Sequence, residues 1–87
     1  MTETEIIERA ETLPGRFADR VTESTLWSIK RMRGGGEYEY GELTIELAAS
    51  LAAYKTPVTP EERDELRALL EAVGMLTDPI EQLNVQG

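Results

Sequence analysis

No cysteine and no histidine occur among the 87 residues. Their absence excludes disulfides, thiolate and imidazole zinc ligands, cysteine nucleophiles and every acid/base triad that turns on an imidazole. Basic residues are also scarce, nine against 17 acids, for a net charge of −8. A phosphate backbone is repelled by such a surface, so nucleic acid is not an expected partner and a basic protein is. No apolar run approaches the roughly 18 residues of a membrane span, and Met1 to Glu8 has neither the basic start nor the apolar stretch of a signal peptide. The expectation is therefore a cytoplasmic chain with no membrane association.

Apolar spacing is helical almost throughout, and no segment combines β-branched alternation with hairpin turn signals. The length suits one domain, burying about 60–65% of the unfolded chain's surface. An all-α fold is expected, a small bundle of about four helices over residues 1–87. Thr2 and Glu5 are spaced as a capping box, after which Ile6, Ala10 and Leu13 share one face and Pro14-Gly15 ends the first helix. The second is expected from about Arg16 to Met32, with Phe17, Ala18, Val21, Thr25, Ile29 and Met32 on one stripe. Trp27 falls nearly opposite that stripe. Packing into a groove against the first or third helix is the expectation for so large an aromatic, and a place on a binding face is the alternative. Lys30, Arg31 and Arg33 suit the negative end of the helix dipole, and Gly34-Gly35-Gly36 supplies a stop and a reversal without the lysine of a phosphate-binding loop.

The segment from Gly34 to Glu62 is the most informative. Its helix carries Glu37, Glu39, Glu42 and Glu46 with no basic residue, and Tyr38 and Tyr40 alternate with the first acids. Tyr40, Leu43, Leu47, Leu51 and Tyr54 form one face, and Ile45, Ala48 and Ala52 widen the apolar arc. The remaining strip holds Glu39, Glu42, Glu46 and Ser50, an acidic ridge. Carboxylates in the first turn suit the amino-end dipole. Glu46 lies beyond that turn, and no Lys or Arg four residues away neutralises the ridge. Glu37, Tyr38, Glu39, Glu42, Glu46 and Trp27 are therefore the candidate partner-binding residues. Thr59, Pro60 and Glu62 then carry every start signal of a fourth helix, with Leu66, Leu69, Leu70 and Val73 as its buried stripe and Gly74 as its stop. Residues 78–87 are expected as a docked turn followed by a frayed end.

The run Glu39-Tyr40-Gly41, then Leu47, Leu51 and Tyr54, then Pro57-Val58-Thr59 and Glu62 resembles the MafI family of immunity proteins, over roughly Gly36 to Met75. Ile45 and Ala53 depart from that pattern, standing where acids are expected. The resemblance implies a small acidic helical protein of a polymorphic toxin system. Such a protein binds and neutralises a cognate bacterial toxin's carboxy-terminal domain, commonly a nuclease, by blocking its active surface. Two other readings stand beside it. One is a helical adaptor or homodimeric interaction module without toxin-neutralising activity. The other is an enzyme using Glu42 and Glu46 to hold Mg²⁺ or to act as acid and base; acids one turn apart are more often a solvated face, so no enzyme, cofactor or metal site is expected.

Overall fold

The computed structural model describes residues 1–87. The chain runs α1 (Glu3–Glu11), α2 (Leu13–Arg16), a single 3₁₀ turn (Ala18–Arg20), α3 (Glu23–Arg31), α4 (Glu37–Ala53), β1 (Pro57–Val58), α5 (Pro60–Val73), α6 (Asp78–Glu81) and β2 (Asn84–Val85). The fold is all-α, with the two short strands pairing in parallel, Pro57 opposite Asn84 and Val58 opposite Val85. No helix is long and apolar enough to cross a membrane.

The chain's own local chemistry starts the helices. Thr2 accepts from Glu5 N–H while the Glu5 carboxylate returns a bond to Thr2 N–H, both at 3.2 Å. Thr59 and Glu62 do the same at 3.1 and 2.9 Å. At Gly36 only the return half exists, its N–H donating to Glu39 Oε2 at 2.9 Å, because glycine offers no side chain. Carboxylate, orphan amide and helix dipole reinforce one another at each start.

α4 is the central helix. Tyr40, Leu43, Leu47, Ala48 and Leu51 are buried on it. They meet Ile6 and Ala10 of α1, Leu13 of α2, Phe17, Ile29 of α3 and Leu66, Leu69 and Leu70 of α5 in one core. The Tyr40 hydroxyl donates to Glu11 Oε1 at 2.7 Å and accepts from Gly34 N–H at 2.9 Å, so the core aromatic also ties down the end of α1 and the glycine turn. Burial, then the Glu11 carboxylate, raise its pKa. Thr44, also buried, donates to Tyr40 O at 2.8 Å, and no buried side-chain polar atom lacks a partner.

Several expectations are corrected. The helix expected from Arg16 to Met32 is broken. Val21 is extended, and Thr22 restarts the chain as a new cap, its Oγ1 accepting from Thr25 N–H at 3.1 Å. Ala18, expected on the buried stripe, is consequently exposed. α1 ends at Glu11, earlier than Pro14-Gly15, and Leu13 and Pro14 instead open α2, where the missing N–H of Pro14 costs nothing. Tyr54, expected on the buried face of α4, is 68% exposed, because α4 ends at Ala53 and the chain turns away through Lys55 at φ +51°. Trp27 is 64% exposed, not packed in a groove. Residues 78–87 are not frayed. Ile80 and Leu83 are buried in the core, and Gln86 N–H donates to Val58 O at 2.8 Å beyond the strand pair.

Candidate functional site: a trough beside α4

Two backbone features shape the surface next to α4. α5 stops at Gly74, whose φ of +79° only glycine adopts without strain, and Met75 N–H then closes on Leu70 O at 2.9 Å. The reversal lays Met75 and Leu76 across α4. At the crossing stands Gly41, where an added Cβ would lie 2.7 Å from Met75 Sδ and 3.1 Å from Val73 Cγ1. The bare backbone at 41 lets the α5 end approach this closely.

The outcome is a trough of about 460 Å³ between α4 and the Gly74–Pro79 segment, lined by Tyr38, Glu42 and Ile45 on one side and Met75, Leu76, Asp78 and Pro79 on the other. Beyond Pro79 it continues as a second hollow of about 450 Å³ over Ala49, Ala52 and Ala53 towards Lys55 and Gln82. Tyr38, 63% exposed, and Leu76, 78% exposed, stand at the mouth. Glu42, one turn from Tyr38, raises the pKa of the tyrosine hydroxyl. Neither Glu42 nor Asp78 has a Lys or Arg within ion-pair distance, and neither do Glu37 and Glu39 at the start of α4. The four ion pairs of the structure engage Glu62, Glu65 and Asp64. An apolar trough with an uncompensated acidic mouth is the chemical character of this surface.

The candidate residues do not converge as one ridge. Tyr38 and Glu42 line the trough. Glu39 is exposed but turned back to cap Gly36, and Glu37 is half-buried. Glu46 faces α3, half-buried, where it accepts from Ser28 Oγ at 2.8 and 2.9 Å, and Thr25 and Ser50 meet one turn further along at 3.1 Å. Glu46 therefore joins two helices. Trp27 lies on the outward face of α3, in a groove that shares no residue with the trough. No three carboxylates converge to hold a metal ion. Ile45, expected on the apolar arc of α4, and Met75 and Leu76, expected to fold back over the end of α5, line the trough together with Asp78 and Pro79, and none of the five is among the candidate binding residues read from the sequence. Gly74 signalled a reversal there, but nothing local shows which helix the reversal lands on.

Comparison with protein-family models, with curated proteins and with solved structures finds no match to this chain.

Proposed function

We propose that this chain is a non-catalytic immunity protein that binds a basic surface of a cognate toxin domain, a nuclease by preference, and holds it away from its substrate. The observation that carries the reading is the trough mouth, where Tyr38 and Leu76 stand exposed beside Glu42 and Asp78 with no intramolecular cation to neutralise them. Aromatic and aliphatic anchors supply affinity when a partner desolvates them, and unpaired carboxylates around them select a basic partner and speed encounter. A nuclease must carry a basic groove for its own substrate, which matches that chemistry. The resemblance of residues 36–75 to MafI-type immunity proteins supports the same reading.

Co-expression tests it directly. The toxin domain encoded beside this chain arrests growth, the wild-type chain restores it, and Tyr38→Ala with Glu42→Lys does not, although the double variant keeps its helical circular dichroism. Both side chains lie outside the core, so folding is preserved. Full protection by the folded double variant would remove the trough from the mechanism. A basic partner that binds through the trough without any toxicity of its own would favour the adaptor reading.

A further inference from the structure

The outward face of α3 carries Glu23, Leu26, Trp27 and Lys30, spaced i, i+3, i+4 and i+7 so that they form one stripe. With Ser24 they line a shallow groove of about 520 Å³ to which no other element contributes. Leu26 is half-buried and Trp27 is 64% exposed. The Arg31 guanidinium lies 4.6 Å from the indole centroid and covers part of the ring. Neither Glu23 nor Lys30 forms an ion pair within the chain. An exposed tryptophan centred on an uncovered stripe, flanked by an idle anion at one end and an idle cation at the other, is an unsatisfied surface.

Its order along the helix decides what satisfies it. From the amino end the stripe reads anion, aliphatic, aromatic, cation. Turned end for end it reads cation, aromatic, aliphatic, anion, so a second α3 laid antiparallel meets it with complementary groups throughout. About a twofold axis passing midway between positions 26 and 27, Glu23 faces Lys30 of the second copy, Leu26 faces its Trp27, and each contact occurs twice. A parallel arrangement would set Glu23 against Glu23 and Lys30 against Lys30. Antiparallel pairing also opposes the helix dipoles.

We propose that the outward face of α3 is a self-complementary interface at which a second copy of this chain docks antiparallel, with the two Trp27 side chains at its centre. The pairing is independent of the trough. The two surfaces share no residue.

Sedimentation equilibrium over a rising concentration series, read together with tryptophan emission, tests it. The wild-type chain shows a reversible monomer–dimer equilibrium, and emission shifts to the blue as dimer forms. Trp27→Ala weakens association by roughly 30-fold or more, as loss of a central aromatic anchor does. Lys30→Glu places carboxylates opposite each other twice per dimer and also weakens it. Adding Glu23→Lys to Lys30→Glu restores dimerisation, because both charges are exchanged in both copies. All three positions are exposed, and exchanging Glu23 and Lys30 opposes the α3 dipole only weakly at a solvated surface, so circular dichroism and a urea melt of each variant confirm that it stays folded. A wild-type chain monomeric up to about 1 mM, whether or not a short oligonucleotide then quenches Trp27, would overturn the proposal. So would a dimer indifferent to Trp27→Ala, or a double exchange no better than Lys30→Glu alone.

Discussion

Replacing Glu62 by Gln is expected to cost about 2 kcal/mol of stability at pH 7, nearly all of it gone by pH 2. The Glu62 carboxylate takes a bidentate pair from Arg20, at 2.8 and 2.6 Å, and caps Thr59 N–H at 2.9 Å. The pair joins the 3₁₀ turn to the start of α5, and the guanidinium also stacks 4.2 Å from the Phe17 ring centroid. Arg20 foremost, then the Thr59 amide, hold the Glu62 pKa at about 2 against an ordinary 4.5. A depression of that size is worth about 3 kcal/mol at most. The Glu62 and Arg20 side chains are 16% and 28% exposed, so solvent screening trims the figure to about 2 kcal/mol. Gln keeps one acceptor oxygen for Thr59 but turns an amide N–H₂ towards Arg20, so the variant loses the charge and one of the two guanidinium bonds together. Because the folded-state pKa lies below the unfolded one, the stabilisation is fully present above about pH 4.5 and fades as the pH falls towards 2. Urea unfolding of both proteins between pH 7 and pH 2.5 measures it, with a melting point lower by roughly 10 °C in the variant at neutral pH. A difference below about 0.5 kcal/mol at pH 7, or one that stays constant down to pH 2.5, would refute the reasoning.

Two further outcomes are expected of the fold. Deleting residues 83–87 removes the Leu83 side chain from the core, the β1–β2 pairing and the Gln86 bond to Val58, at a cost of about 3 kcal/mol in urea unfolding, where loss of a frayed tail would cost nothing. Tyr40→Phe leaves the ring in place but unties Glu11 and Gly34; both can turn to water, so a loss of about 1 kcal/mol is expected, and a loss above about 3 kcal/mol would mean that the hydroxyl organises the core itself.

Much of the fold was legible because its signals are local. Thr2 with Glu5 and Thr59 with Glu62 announce helix starts at a separation of three residues. The Leu43, Leu47 and Leu51 stripe gives the buried face of α4 through helical periodicity alone. Thr22 is a local signal that the apolar spacing masks. It carried cap chemistry in the middle of a stretch whose apolar spacing suggested one long helix, and periodicity does not register a break that preserves the phase of Phe17 and Ile29. Of the candidate site, Tyr38 and Glu42 were placed from spacing, while the opposite wall, Met75 to Pro79, was not.

The sequence by itself determined an all-α chain of strongly negative charge, the capped starts, the central helix and its buried face. These follow from composition, and from contacts within one turn, whose partners are fixed by the chain's own geometry. The tertiary structure alone decided the rest. Glu46 meets Ser28 18 residues away, Arg20 meets Glu62 42 residues away, and β2 closes on β1. None of those pairings falls within one helical turn, so no local pattern announces it. Trp27 turns outward for a related reason: α4 takes the opposite face of α3, through Thr25 and Ser28, and no other element is left to cover the indole.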